Sequence, residues 1–301
     1  MKSHYDKELW GLSINPQNNF EVATGGEDNT LRIWDIKNFK QKEFLILKEG
    51  IRSIDWSSNG KFIVIGSMNG NIYYLNISNM EISKPFKSIF YSEERDKING
   101  QFIHWIEDIK ISPDNTKVAF SAHLTKGKNF GKLQILSISN DINNPFQELI
   151  ILDPKFTSDI THLDLSTDNE RIICNSKVFE LKYMSIKAKG VISASSYIYK
   201  PNLWYTWTCL LGFPVQGIMG PNFSGNIVNY ICRSNNQKVI ATGDFSLIKL
   251  FKCPSVVENS ENKAYKGHSS FNPKVRFTSN DQYLISVGGK DKSVFIWETD
   301  F

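Results

Sequence analysis

The sequence lacks the signals that mark membrane-spanning, secreted and metal-binding proteins. Its 301 residues include four cysteines, and no two of them stand at the C-x-x-C spacing of a zinc site or a redox pair. No apolar run approaches the roughly 18 residues that a membrane helix needs. The amino terminus has no apolar segment like that of a signal peptide. We therefore expect a cytoplasmic protein with reduced thiols and no membrane partner.

Catalytic and cofactor-binding motifs are missing as well. The chain contains no H-E-x-x-H, no phosphate-binding loop, no dinucleotide fingerprint and no nucleophile elbow. A formal net charge of +4 is too small to predict binding to nucleic acid, although it is compatible with an acidic protein partner. We expect no metal, no cofactor, no catalytic residue and no enzymatic activity. A hydrolase is the weakest alternative.

A unit of three short strands repeats along the chain. In the first unit, strands at residues 9–14, 20–24 and 30–35 alternate apolar and polar side chains, and the turns between them are rich in Asn, Gly and Asp. The unit recurs at residues 51–75, 106–136, 160–183, 227–251 and 272–297. Helical periodicity is almost absent. The sequence therefore predicts an all-β fold in which each unit is one repeated structural element.

The first and last units resemble the WD repeat, a unit of about 40–45 residues with Gly-His before its first strand and Trp-Asp after its third. The resemblance implies a WD-repeat β-propeller, predicted here to have seven blades of four antiparallel strands. It also implies two buried hydrogen-bonded tetrads, which are His4, Thr24, Asp28 and Trp34, and His268, Ser286, Asp291 and Trp297. The middle units have apolar residues at several of these positions, such as Ile65 and Leu75, so we expect apolar packing to replace the tetrad there.

A narrower resemblance begins at residue 204, where the chain reads WYTWTCLLGFPVQGI. This stretch is similar to a segment of the echinoderm microtubule-associated protein-like (EMAP-like) family, and the agreement continues at residues 241–244, 250–254, 266–270 and 286–291. The resemblance covers essentially the whole chain. It implies that residues 1–301 are a single propeller, the second of a tandem pair in a longer protein. We expect the family-specific segment, at about 187–221, to bury Trp204 and Trp207.

The resemblance also implies a function. A member of this family is expected to bind tubulin or microtubule-associated proteins without catalysis, in the cytoplasm and on the cytoskeleton. As a separate fragment the propeller is expected to be monomeric. The alternative is a general WD-repeat scaffold in another assembly, such as a ciliary or signalling complex.

Candidate binding residues follow from the position just after the first apolar residue of each innermost strand, which typically faces the top of the channel in WD propellers. That position is occupied by Trp10, Arg52, Glu107, Thr161, Val228 and Pro273, and the residue before the tetrad aspartate position adds Glu27, Met68 and Lys290. Aromatic residues, Arg and Met are enriched at the centre of interfaces. The pattern predicts an exposed protein-binding surface, with the alternative that Trp10 only packs against a neighbouring loop.

Overall fold

The computed structural model describes residues 4–94, 104–124, 129–193, 200–219, 228–272 and 274–300. Within these ranges the chain forms six antiparallel sheets in succession. The first three sheets contain β1 (Leu9–Ile14), β2 (Glu21–Gly26), β3 (Thr30–Asp35) and β4 (Lys40–Ile46); β5 (Ile51–Trp56), β6 (Phe62–Ser67), β7 (Asn71–Asn76), β8 (Glu81–Ile82) and β9 (Phe86–Lys87); and β10 (Trp105–Ile111), β11 (Lys117–His123), β12 (Leu133–Ile138) and β13 (Phe146–Leu152).

The remaining sheets contain β14 (Ile160–Leu165), β15 (Arg171–Ser176), β16 (Leu181–Ser185) and β17 (Gly190–Val191); β18 (Tyr230–Arg233), β19 (Val239–Gly243), β20 (Phe245–Lys252) and β21 (Asn262–Phe271); and β22 (Lys274–Phe277), β23 (Tyr283–Val287) and β24 (Val294–Glu298). Two short 3-10 helices, η1 (Pro201–Leu203) and η2 (Phe213–Val215), precede β18. None of the described helices is long and apolar enough to cross a membrane.

Turns rich in Asn set the strand boundaries. Between β1 and β2, the Asn15 side chain accepts a hydrogen bond from the Gln17 amide at 2.9 Å, and that of Asn18 accepts one from the Phe20 amide at 3.1 Å. Such Asx turns supply backbone hydrogen bonds that the reversing chain cannot make with a neighbouring strand. The strands then run for only two to ten residues before the next turn.

The six sheets stand around a central channel, with β1, β5, β10, β14, β18 and β22 as their innermost strands. The ring closes because β22 packs beside β1, and the Leu9 amide donates to the Gly289 carbonyl at 3.0 Å. Leu12 of the first sheet shares a buried core with Ile285 and Val287 of the last. This all-β propeller confirms the predicted fold class.

In space, the family-specific segment lies between the innermost strands β14 and β18. Trp204 forms a β-bridge with Ser166 beyond β14, and the amides of Thr208 and Cys209 donate to the Asp164 side chain at 2.6 and 3.0 Å. On the other side, the Arg233 amide of β18 donates to the Trp207 carbonyl at 3.2 Å. The segment thus occupies the place of an innermost strand, and this position supports a further blade. The count of seven blades stays a prediction.

Trp204 and Trp207 form the apolar centre of this segment. Their side chains are 1% and 2% exposed, and their rings meet edge to face at a centroid distance of 6.3 Å. This confirms the expectation that both indoles are buried. Parts of the predicted 187–221 segment, residues 194–199 and 220–221, lie outside the described residues.

Candidate functional site

Each of the first four innermost strands has a β-bulge near its amino-terminal end. The pairing register shifts between residues 9 and 11, 51 and 53, 106 and 108, and 160 and 162. The extra residues are Trp10, Arg52, Glu107 and Thr161. Because a bulge redirects the side chain of the unpaired residue, all four line one cavity of about 270 Å³ at the amino-terminal ends of the innermost strands. We call this cavity the channel mouth.

Val228 also lines the channel mouth, but it is not a strand residue. The fifth innermost strand begins at Tyr230, later than the sequence pattern indicates, and its ladder has no bulge. The third begins at Trp105, one residue earlier than expected. Pro273 lies outside the described residues.

A stack of rings around Arg52 dominates the channel mouth. The guanidinium carbon of Arg52 lies 3.1 Å from the Trp10 ring centroid and 4.7 Å from that of Trp105. Trp10 in turn lies 5.2 Å from the ring of Phe271, and Trp105 stacks on His123 at 4.1 Å. Arg52 is therefore only 9% exposed, although the mouth itself is open to solvent.

Two carboxylates accept hydrogen bonds from the indole N–H groups of this stack. Glu27 accepts a hydrogen bond from Trp10 Nε1 at 3.1 Å and lies 3.5 Å from Nη1 of Arg52. Glu107 accepts from Trp105 Nε1. Burial lowers the pKa of Arg52 even though Glu107 and Glu27 favour its charged form. Burial, together with the charge of Glu27, raises the pKa of the nearby Glu8 carboxyl.

Three of the predicted surface residues, Glu27, Met68 and Lys290, do not line the channel mouth. Met68 is 7% exposed and its side chain packs near Gly50, so its predicted exposure is wrong. Lys290 is exposed, and its amide donates to the Ser270 hydroxyl at 3.1 Å. The predicted surface is thus less exposed than expected. Trp10 is half-buried and Arg52 is buried, because the Arg52 guanidinium lies over the Trp10 ring.

Charged side chains fill the channel next to the mouth. Lys110 Nζ donates to both oxygens of Asp108, at 2.9 and 2.7 Å, and the Leu163 amide donates to the same carboxylate at 3.1 Å. Although burial opposes ionisation, Lys110 and Lys274 hold the pKa of Asp108 well below its usual range. Burial lowers the pKa of His162 to about 4, so this side chain is neutral at physiological pH.

Two donors that line the channel mouth are not satisfied. Lys274 Nζ lies 3.6 Å from Asp108 Oδ1, but it has no hydrogen-bond partner among the described residues. The Tyr230 hydroxyl likewise has none in the described part of the chain. Burial lowers the pKa of Lys274 to about 8 and raises that of Tyr230 to about 12. Buried polar groups are normally paired, so these two point to an additional acceptor.

A second cavity, of about 130 Å³, lies at the carboxyl-terminal ends of the innermost strands. Asp55, Lys110 and Arg276 line it. The channel therefore has a distinct polar opening at each end, and the residues that the sequence analysis singled out gather at only one of them.

The two tetrads predicted from the WD pattern form hydrogen-bonded chains in the structure. His4 lies 2.8 Å from Asp28 through Nδ1 and 3.0 Å from the Thr24 hydroxyl through Nε2, and Trp34 Nε1 donates to the same hydroxyl at 2.8 Å. In the last sheet the corresponding distances for His268, Asp291, Ser286 and Trp297 are 3.1, 2.8 and 2.8 Å.

Each tetrad has a fifth member that the sequence analysis missed. The hydroxyls of Thr30 and Ser293 donate to Asp28 and Asp291, each at 2.7 Å. Both stand two residues after the aspartate, so the shared spacing could have revealed them. The second sheet also differs from expectation, because Glu49 accepts hydrogen bonds from Asn69 and Asn71 at 3.2 Å and from Tyr73. A polar network, and not apolar packing alone, therefore stabilises that blade.

A group of side chains beside the channel mouth, in contact with Arg52 through Trp105, was not predicted from the sequence. Trp105, His123 and Asp159 form a continuous group, since His123 Nδ1 lies 2.8 Å from Asp159 while its ring stacks on Trp105. Only the position of Trp105 next to Ile106 could have indicated it. Among the described residues, no group of three or more His, Cys, Asp or Glu side chains is arranged to hold a metal ion. Stacked aromatic rings, one arginine and unsatisfied donors are suited to recognising a polar group of a partner.

Comparison with solved structures shows the fold. The chain is similar to the Myceliophteria thermophila Cps50 (Swd1) beta-propeller domain, with a TM-score of 0.69, 12% identity and 99% of each chain covered. It is equally similar in fold to the Kuenenia stuttgartiensis hydrazine synthase, with a TM-score of 0.69 and 8% identity over 99% of each chain.

Comparison with sequences identifies the family. The model of the echinoderm microtubule-associated protein second beta-propeller matches residues 9–299. The chain is 31% identical over 300 residues to human echinoderm microtubule-associated protein-like 3 and 29% identical over 301 residues to human echinoderm microtubule-associated protein-like 4. Each alignment covers 99% of this chain but only 31% and 28% of the relative's length. The chain therefore belongs to the EMAP-like family, and it matches the second β-propeller of that family.

Proposed function

We propose that this chain is a non-catalytic binding propeller that associates with tubulin or with microtubule-associated proteins through its channel mouth. The observation that carries the proposal is the Trp10–Arg52–Trp105 stack around a 270 Å³ cavity. Rings and guanidinium groups held rigid before binding lose little conformational entropy when a partner docks. Trp and Arg are also the residue types that contribute most to binding energy at interfaces.

The partner class and the location come from the family. The relatives are named as microtubule-associated proteins, and we extend that association, with a cytoplasmic and cytoskeletal location, to this chain. We further propose that the separate propeller is monomeric. The chain spans less than a third of its relatives' length, so the proposal concerns this propeller's share of binding and not the activity of a whole protein.

Co-sedimentation of the 301-residue chain with polymerised microtubules tests the proposal. We expect the wild type to pellet in a saturable manner. The double variant Trp10→Ala, Arg52→Ala should bind at least about tenfold more weakly, since loss of interface hot spots costs roughly 2 kcal/mol or more. Near-ultraviolet circular dichroism would show that the double variant remains folded.

Lys238→Gln is the matched control. Lys238 is exposed and lies next to Asn236 in the turn between β18 and β19, at the opposite end of the channel from the mouth. It should pellet like the wild type. If the wild type fails to pellet, direct binding to polymerised tubulin is contradicted and a scaffold role in another assembly is favoured. If the double variant pellets as well as the wild type, the channel mouth is not the binding surface.

A further inference from the structure

The stack at the channel mouth leaves Arg52 with unused hydrogen-bonding capacity. Its guanidinium carbon lies over the Trp10 ring, 3.1 Å from the centroid, and over the Trp105 ring, 4.7 Å from the centroid, so the N–H groups are what it can still offer to a partner. Within the described residues its one hydrogen bond is to Glu27, at 3.5 Å, which is the long limit for such a contact. A planar fork of donors held in this way matches the two oxygens of a carboxylate.

The other unsatisfied groups of the mouth are also donors. Lys274 and Tyr230 line the same cavity, and neither Nζ nor the hydroxyl has a hydrogen-bond partner in the described part of the chain. The two carboxylates that line the cavity are already engaged: Asp108 is held by Lys110 at 2.7 Å, and Glu107 by Trp105. The cavity therefore presents an excess of donors over free acceptors, which disfavours a cationic occupant and favours an anionic one.

The size and the rim of the cavity restrict the anion further. A volume of about 270 Å³ accommodates a single side chain or a chain terminus rather than a folded element. Phe179 is 43% exposed, and it lines the cavity beside the exposed Lys177. An apolar contact next to a third cation suits a peptide with both acidic and apolar atoms.

From these contacts we infer that the channel mouth binds a carboxylate of a protein partner, with Arg52 as the bidentate donor and Lys274 and Tyr230 as supporting donors. The inference rests on the proposed function only in taking the occupant to be a protein. The carboxylate can belong to a Glu or Asp side chain or to a carboxyl terminus, because both present the same two oxygens.

Short peptides distinguish these sources. The probe is fluorescein-labelled hexaglutamate with a blocked carboxyl terminus, and hexaglutamine of the same design is its uncharged counterpart. Hexaglycine with a free carboxyl terminus presents only the terminal carboxylate. We expect hexaglutamate to bind the 301-residue chain by fluorescence anisotropy, to weaken with added salt, and to change tryptophan emission, since Trp10 and Trp105 contact Arg52.

Two variants test the donors independently. Arg52→Lys keeps the charge but removes the planar fork, and Lys274→Met removes a buried charge while keeping an unbranched side chain. Each should weaken hexaglutamate binding about tenfold or more, as expected for a charged hydrogen bond. Lys238→Gln, at the other end of the channel, should leave it unchanged. If one variant fails to fold, the other still tests the inference.

Several outcomes would overturn the inference. The first is that hexaglutamine binds as tightly as hexaglutamate. The second is that the wild type binds neither carboxylate peptide, and the third is that both donor variants bind hexaglutamate as tightly as the wild type does. Tighter, Arg52-dependent binding of hexaglycine would support the inference and identify a chain terminus as the source. Microtubule co-sedimentation without peptide binding would refute the carboxylate inference alone, whereas peptide binding without co-sedimentation would refute the proposed tubulin partner alone.

Discussion

The Arg52 guanidinium lies over the Trp10 ring at the channel mouth, with the guanidinium carbon 3.1 Å from the ring centroid. The two residues belong to adjacent blades, since Trp10 lies on β1 and Arg52 on β5. Each is the unpaired residue of a bulge. The contact therefore links two blades through side chains that the sheets themselves do not constrain.

This contact should appear as a coupling energy. We expect a double-mutant cycle of Trp10→Leu and Arg52→Met, measured by urea unfolding, to give a coupling of about 1 kcal/mol, typical of a partly desolvated cation–π pair. A coupling indistinguishable from zero would mean that Trp105 alone holds the guanidinium. A parallel cycle of Arg52→Met with Ile46→Ala, an exposed residue of β4, should be additive.

Gly212 permits the packing of Trp207 and should not tolerate a side chain. Its φ is +125°, and a Cβ at this position would lie 2.4 Å from Cζ2 of Trp207. We expect Gly212→Ala to lower the free energy of unfolding by about 2 kcal/mol or more, through backbone strain and overpacking. Gly190→Ala is the matched control, because its nearest neighbour would be 3.9 Å away. Equal stability of the two variants in urea would contradict the assignment.

Asp28 should make stability depend on acid pH. Although burial opposes ionisation, hydrogen bonds from His4 and Thr30 lower the pKa of Asp28 from 3.8 to about 2. A depressed carboxyl pKa stabilises the fold above the unfolded pKa, and this contribution is lost as the pH falls from about 4 to about 2. Asp28→Asn should therefore cost about 2 kcal/mol at neutral pH and progressively less below pH 4, measured by urea unfolding across pH. Asp141→Asn, at an exposed turn, should leave the pH profile unchanged.

His162 should make the free energy of unfolding depend on pH separately, between pH 7 and pH 4. Burial lowers its pKa from 6.5 to about 4, with Lys110 and Lys274 opposing protonation and Asp108 and Glu107 favouring it. Between these values the unfolded chain binds more protons than the native one, so stability falls with decreasing pH by up to about 3 kcal/mol. An NMR titration should show the His162 imidazole neutral down to about pH 5, with His162→Gln used for assignment. Titration near pH 6.5 would contradict this account.

The parts of the molecule governed by local patterns were predictable from the sequence. Alternation and turn residues indicated the strands, and the spacing of His, Thr, Asp and Trp in the end units indicated which side chains would meet, as His4 and Trp34 do at the Thr24 hydroxyl. The position after the first apolar residue also identified Trp10 and Arg52, because a bulge recurs there in successive blades.

The rest depends on contacts between residues that are distant in the sequence, which no local pattern encodes. The stacking of Trp105 on His123 pairs β10 with the end of β11, and the burial of Arg52 depends on rings from both neighbouring blades. Met68 was expected at the surface, yet the loop at Gly50 covers it. Lys274 and Tyr230 gave no sequence signal, because an unsatisfied donor is recognisable only when its surroundings are known.

The bulges at the channel mouth have an evolutionary consequence. A bulged residue makes no ladder pair, so its replacement leaves the register of the strand, and every inward-facing core side chain, where it was. Trp10, Arg52, Glu107 and Thr161 can therefore be replaced without a shift in the register of the strands that present them. Related propellers can acquire new partner preferences through these few positions, while their frameworks remain superimposable.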